Sequence, residues 1–206
     1  MGTRNLTIVK VDGKIKVRQY CQWDGYPTGV GNKIVAYLKS ADLNKLKENV
    51  KKLKFGTDAE ISKAYADVVG HNRDTVTGEE SERIKKAKPE LHRDTGPDVL
   101  KHIEAGAVSM VSDGGPFNKE SWCEYAYTLD LDKEKITVQW GHEKGDKKTF
   151  TFKQFCTMTM DYLENCIHEG FPEPSNAEKF IDKEILAKPK KVAKKVPAKK
   201  TTKKKE

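Results

Sequence analysis

Polar and apolar residues alternate along the first part of the chain, a pattern that predicts two paired β-strands. Residues 5–11 and 14–23 both follow the two-residue period of a strand with one buried face, and Asp12-Gly13 between them is a strong hairpin-turn signal. One face of the second strand carries its apolar side chains, which are Ile15, Val17, Cys21 and Trp23. We expect that face to point into the core.

The period changes to that of a helix after this hairpin. Residues 32–39, 43–53 and 58–69 place apolar side chains every three to four positions, and Asp42 is a good capping residue before the second of these helices. Gly56 is expected to close that second helix.

A polar stretch over residues 70–91 comes next and has no clear core face. Three interpretations remain open for it: a loop, a short charged helix at 79–86, or an excursion from the core. The run Thr95-Gly96-Pro97-Asp98 then matches a capping box with an early proline. We expect it to open a helix that extends to Glu104.

The second half of the chain returns to the strand period. Strands are predicted at 107–111, 125–131, 136–140 and 149–152, followed by helices at 154–168 and 176–186. Strands at both ends around a helical middle predict one α+β domain over residues 1–186. Its antiparallel sheet is expected to have five or six strands, with the helices packed against it.

Charge separates this domain from the C-terminal residues 187–206. Ten of the 39 basic residues and one of the 31 acidic residues lie there, so the tail has a net charge of +9. Residues 1–186 have a net charge of −1, which gives the total of +8. The tail resembles the lysine/alanine/proline arms of linker histones, and its composition predicts disorder. Two interpretations remain open, a solubilising spacer and weak, salt-sensitive nucleic-acid binding through its lysines, among them Lys190, Lys191, Lys194, Lys195, Lys199 and Lys200.

Composition excludes some classes of protein. No run approaches the 18 or so apolar residues of a membrane span, and no apolar signal core follows Met1, from which we expect a cytoplasmic protein without membrane contact. Four cysteines at scattered spacings are expected to be reduced, and the five histidines form no metal-binding motif. We therefore predict no metal and no cofactor.

The segment from Tyr20 to Gly31 is the strongest candidate for a ligand-binding site, because it places aromatics, a carboxylate and three glycines before a helix. Backbone amides of residues 29–31 at that helix start would meet a small anion. Side chains would complete the site. Trp23 or Tyr26 would stack on a flat group of the ligand, Gln22 and Asp24 would bind its polar edges, and Arg93 would supply positive charge. The ligand-binding residues predicted are thus Gln22, Trp23, Asp24, Tyr26, Gly29, Gly31 and Arg93. The alternative is an elaborate turn without a ligand.

Three stretches resemble a family of uncharacterised phage and prophage accessory proteins. They are Thr3-Arg4-Asn5-Leu6-Thr7 with the Tyr20–Pro27 segment and Gly29/Gly31, then Arg93-Asp94-Thr95-Gly96, then residues 123–132. The resemblance implies an accessory protein of a phage or mobile element that acts in a bacterial host cell, where such proteins often modify the host or counter its defences, some by sequestering nucleotide signals. Together with the Tyr20–Gly31 segment, it predicts binding of a small anionic, nucleotide-like ligand or of a host factor. It brings no established activity.

An enzyme is the rival hypothesis. Either Cys21 acts as a nucleophile, or Asp24, Asp130 and Asp132 form a hydrolytic centre, provided that these groups converge in one cleft. Cys21 shares a face with core residues, so we expect it to be buried and the protein to bind without covalent chemistry.

Overall fold

The two alternating segments at the N-terminus pair as a hairpin. β1 (Asn5–Val11) and β2 (Lys14–Cys21) are antiparallel. Asp12 and Gly13 between them both have a positive φ, of 52° and 70°, as a two-residue type I′ turn requires. This hairpin belongs to one compact unit that ends at Pro172, and the computed structural model describes residues 2–71, 75–118, 122–141 and 145–172 of the chain.

Five strands form the main sheet. β5 (Tyr125–Asp130), β6 (Lys135–Trp140) and β7 (Lys147–Thr151) complete it in the order β2-β1-β5-β6-β7. The α+β class and the number of strands are confirmed. β1 and β5 lie side by side in parallel, whereas every other pair is antiparallel, so the sheet is mixed at its centre.

Helices cover one face of this sheet, here called the inner face. They are α1 (Asn32–Leu38), α2 (Leu43–Lys52), α5 (Val99–Ala105), α6 (Phe152–Thr157) and α7 (Met160–Glu169). Asp42 caps α2 as predicted, by accepting a hydrogen bond from the amide of Lys45. The core between helices and sheet includes Val9, Leu129, Ile34 and Phe155.

Two further helices form an excursion from this core. α3 (Asp58–Val69) and α4 (Gly78–Ala87) each begin with a complete capping box, at Thr57 and at Thr77. α3 buries none of its residues fully and α4 buries only Ile84. The polar composition of this region explains why the two helices pack mainly against each other.

The opposite face of the sheet, here called the outer face, packs against fewer residues than the inner face. Leu6, Ile8, Cys123 and Ala126 form a second buried cluster there, against which Tyr20 and Phe117 pack. The chain at Asp113 pairs with Arg18 of β2, and the amide of Gly114 donates to the Arg18 carbonyl at 2.7 Å. The loop before β5 therefore covers part of this face.

Several local predictions were wrong. The helix predicted over residues 154–168 is two helices, because Met158 is extended and Thr159 caps α7. Thr95 does not cap a helix: its hydroxyl donates to the Pro89 carbonyl, and a 3₁₀ turn, Gly96–Asp98, precedes α5.

One short strand was not predicted, and another is shorter than predicted. The strand predicted at 107–111 is reduced to β4 (Met110–Val111), and it pairs in parallel with β3 (Lys54–Phe55). α2 ends at Lys52, so Gly56 follows β3 and closes no helix. The helix predicted at 176–186 and the tail lie outside the described residues.

Candidate ligand-binding site

The predicted site lies at one end of the sheet, where β1 and β5 begin and β2 ends; we call it the Asn5 end. Asp24 turns the chain after β2 with a φ of 53°, and a wide helical turn, Pro27–Gly31, leads into α1. The amide of Gly29 donates to the Tyr26 carbonyl at 3.0 Å, and the amide of Val30 donates to the Asp24 carbonyl at 2.8 Å.

This bonding corrects the expected anion cradle, since the amides of Gly29 and Val30 are already engaged by the chain. Gly31 is buried, and an added Cβ there would lie 2.8 Å from the sulfur of Met160. The carboxylate of Glu164 from α7 also accepts from the amide and hydroxyl of Thr28, at 3.1 and 2.7 Å. A carboxylate of the protein itself therefore occupies the start of this helical turn, and an external anion has to be recognised by side chains.

Two of the predicted residues, Gln22 and Arg93, meet although 71 positions separate them. The guanidinium of Arg93 donates to the side-chain oxygen of Gln22 and lies 5.5 Å from the ring centre of Tyr20. The backbone amide of Gln22 donates to Asp94 at 3.1 Å, which joins the end of β2 to the turn at residues 92–96. Arg93 is more than half exposed, so its charge is presented to solvent.

Two tryptophans are the most exposed large apolar side chains of the described residues. Trp23 is 53% exposed and Trp122 is 66% exposed. The expectation that the face with Ile15 and Trp23 points into the core was therefore wrong at both of its ends, since Ile15 is also 41% exposed. Gly2 packs against the ring of Trp23, and the amide of Glu124 donates to the Arg4 carbonyl, which places both tryptophans at the Asn5 end. Sequence reasoning missed Trp122, whose signal was an isolated aromatic in a polar loop.

Asp24 and Tyr26 are placed differently. Asp24 is exposed, and its carboxylate accepts from the hydroxyl of Tyr26 at 3.3 Å. Tyr26 is half-buried and packs against the core, so its ring presents less surface than that of Trp23. Of the two aromatics expected to stack on a flat group, Trp23 is therefore the better placed.

Cys21 is buried at the floor of this region. Burial raises the pKa of its thiol, and its sulfur lies 3.6 Å from the Trp23 carbonyl and 3.8 Å from the Asp94 carbonyl. A nucleophile needs a lowered thiol pKa and a neighbouring base, so this environment opposes a nucleophilic role.

The proposed carboxylate centre is wrong, because its members do not converge. Asp130 ends β5 and accepts from the amides of Asp132 and Lys133, at 3.2 and 3.1 Å. Asp132 forms an ion pair of 2.8 Å with Lys47. Both lie at the opposite end of the sheet from Asp24.

Beneath the site, the structure brings together a histidine and a serine that sequence reasoning did not pair. The ring Nε2 of His92 lies 3.0 Å from the hydroxyl oxygen of Ser81, and its Nδ1 accepts from the amide of Asp94 at 3.2 Å. Since Nδ1 accepts, the neutral ring carries its proton on Nε2 and donates it to Ser81. This tautomer cannot take a proton from the serine, so the pair lacks the geometry of a nucleophile and its base.

We expect the buried His92 to make stability depend on pH. Burial lowers its pKa below the ordinary value of 6.5, so the unfolded chain binds more protons than the folded protein as pH falls through that value. The free energy of unfolding should therefore fall between about pH 7 and pH 5. Urea unfolding of the wild type and of His92→Gln measures this, and equal pH slopes in the two proteins would contradict it.

Comparison with known proteins finds no match: no family model, no curated protein and no solved structure matches the chain. The described residues include no helix long and apolar enough to cross a membrane. They also contain no cluster of three or more metal-ligating side chains. The geometry of the Asn5 end is therefore the feature of the molecule that indicates a function.

Proposed function

We propose that this protein is a binding protein that holds a planar, anionic, nucleotide-like ligand at the Asn5 end of its sheet without covalent chemistry. The observation that carries the proposal is the exposed ring of Trp23, which follows Gln22 in the chain, together with the pair that Gln22 forms with Arg93. A tryptophan face stacks on any nucleobase, and a guanidinium binds phosphate oxygens in a planar, two-pronged geometry.

Further charges border this surface. Lys33 lies in the first turn of α1, and its charge lowers the pKa of the Cys21 thiol in part. Arg4 immediately precedes β1, and its carbonyl accepts from the amide of Glu124. Asp94 opposes an anion, but its carboxylate is engaged by the Gln22 amide and lies 3.6 Å from Arg93. An anion at the Asn5 end would thus meet cations whose charge Asp94 compensates in part, with the exposed Asp24 as a further carboxylate.

The resemblance to phage accessory proteins supplies the biological part of the proposal. A protein that binds a nucleotide-like signal and does not convert it would act in a bacterial host by sequestration, as counter-defence. Capture of a host protein through the same exposed tryptophans is the alternative within that context. Nucleic-acid binding by the lysine tail stays a separate prediction, since the tail lies outside the described residues.

A thermal-shift screen tests the proposed function. Nucleoside monophosphates, triphosphates and cyclic dinucleotides should be compared with inorganic phosphate and uncharged nucleosides. A ligand at 100 times its Kd stabilises by about 2.7 kcal/mol, which raises the Tm of a protein of this size by about 5–10 °C.

Matched variants then locate the effect. Losing a base–aromatic stack costs about 1–3 kcal/mol, so Trp23→Ala should weaken binding about 5- to 150-fold. Arg93→Gln should weaken binding of the charged ligands most, whereas Lys135→Gln, at the opposite end of the sheet, should have no effect. A panel in which no nucleotide stabilises the wild type more than Trp23→Ala would refute the proposed function.

A further inference from the structure

Three polar side chains lie on the inner face of the sheet, directly below the Asn5 end. In the ladder between β1 and β2, Asn5 faces Cys21 and Thr7 faces Gln19. Asn5, Thr7 and Gln19 are each 0% exposed. They continue the row of Val9 and Val17, which is apolar, so their chemistry is unexpected at these positions.

Each of the three has one atom without a hydrogen-bond partner in the described part of the chain. These atoms are Asn5 Oδ1, Thr7 Oγ1 and Gln19 Oε1. A buried polar atom left unpaired costs about 1–3 kcal/mol, and native proteins contain few such atoms. Three of them on neighbouring positions of two paired strands require a common explanation.

The two amides are fixed in orientation by their other halves. The NH₂ group of Asn5 donates to the carbonyls of Cys21 and Trp23, at 3.3 and 3.0 Å. The NH₂ group of Gln19 donates to the carbonyls of His92 and Arg93, at 2.8 and 3.4 Å. Both unpaired oxygens are therefore obligate acceptors, and only the hydroxyl of Thr7 can donate.

We propose that this cluster is a binding site for one internal water molecule. Water has two donors and can accept, so one molecule satisfies both amide oxygens and accepts from the hydroxyl of Thr7. Buried waters typically make about three such bonds. Ca²⁺ needs six or more oxygen ligands, usually with carboxylates among them, and these side chains supply three neutral oxygens. The amino group of a ligand would leave the Thr7 hydroxyl without an acceptor.

The water gives the cluster a role in positioning. Through Gln19 it connects the β1–β2 pair to the carbonyls of His92 and Arg93, and so to the turn that carries the Arg93 guanidinium. The Gln19 bonds reach the turn at His92 and Arg93, whereas the amide of Gln22 donates to Asp94, the next residue of the turn. This site stands independently of the proposed nucleotide ligand, because its occupant is solvent.

Thr7→Val tests the inference, because it removes the hydroxyl and keeps the shape of the side chain. With a bound water, the variant loses one of the water's three bonds and its Tm should fall. Without one, the variant removes an unpaired buried hydroxyl and its Tm should stay constant or rise. Thr128→Val, on the outer face of β5, is the matched control for the substitution itself.

A direct observation accompanies the stability measurement. A high-resolution crystal structure of the full chain should show a water within hydrogen-bond distance of at least two of the three oxygens. In solution, the methyl group of Thr7 and protons of the residues around it should show nuclear Overhauser effects to a long-lived water. In Thr7→Val, the effects between this water and those surrounding residues should be weaker than in the wild type. A dry cluster, or an unchanged or raised Tm in Thr7→Val, would overturn the inference.

Discussion

Replacing Gly29 by alanine should destabilise the protein by about 1–3 kcal/mol, the usual cost of adding atoms where there is no space for them. The Cβ of an alanine at this position would overlap the carbonyl oxygen of Asp24 and lie 2.9 Å from the Asp24 Cβ. That carbonyl accepts the hydrogen bond from Val30 at 2.8 Å, so the loop cannot shift without losing it. Chemical denaturation measures the loss as a lower midpoint.

Two other glycines provide controls for this substitution. At Gly31 the nearest atom is the flexible side chain of Met160, which can move, so Gly31→Ala should cost less. Gly78 at the start of α4 has no atom within 4 Å of an added Cβ, and Gly78→Ala should be neutral or slightly stabilising. Equal stabilities of the Gly29 and Gly78 variants would contradict the packing described for the loop.

Tyr127→Phe should also destabilise the protein, by about 1–3 kcal/mol, because it leaves a buried carbonyl unpaired. The ring of Tyr127 is fully buried, and its hydroxyl donates to the carbonyl of Gly25 at 2.9 Å. This bond connects β5 to the loop that follows β2. The variant should lower the Tm and also weaken any ligand bound beside Trp23, since the loop is less firmly held.

Tyr125→Phe is the matched control for Tyr127→Phe. Its ring stacks on that of Tyr127 with a centroid separation of 6.5 Å, and it carries no bond to Gly25. We expect a clearly smaller loss of stability in this variant. A Tyr127→Phe protein as stable as Tyr125→Phe would show that the Gly25 bond contributes little.

The features of the fold that sequence reasoning predicted well have local causes. The Asp12-Gly13 hairpin and the Asp42 cap each depend on a few adjacent residues with strong backbone preferences. The parallel pairing of β1 with β5 joins segments more than 100 residues apart, and no local pattern reveals it. The break between α6 and α7 was missed because the apolar period runs through Met158 and Thr159 without interruption.

The candidate site divides in the same way. The location of the loop and of Cys21 could be predicted, since glycine composition and strand alternation are visible in the sequence. The amide cradle was wrong because internal hydrogen bonds and Glu164, from a distant helix, occupy it. Gln19 was missed because a polar residue at an inward position has no apolar signal, although the alternation of β2 requires its side chain to be buried.

The most direct test of the proposed site uses the indole N–H resonances of the three tryptophans in an NMR titration. Trp140 lies at the same end of the sheet, opposite Tyr125, but it is half-buried and its ring lies 5.9 Å from that of Phe171. Addition of nucleoside triphosphates, and separately of cyclic dinucleotides, should shift the indole signal of Trp23 more than that of Trp140, and should shift that of Trp122 if the ligand spans both exposed rings. The shifts should saturate and should be lost in Arg93→Gln. Titrations that leave the Trp23 signal unmoved, or that move Trp140 more than Trp23, would contradict a nucleotide stacked on Trp23.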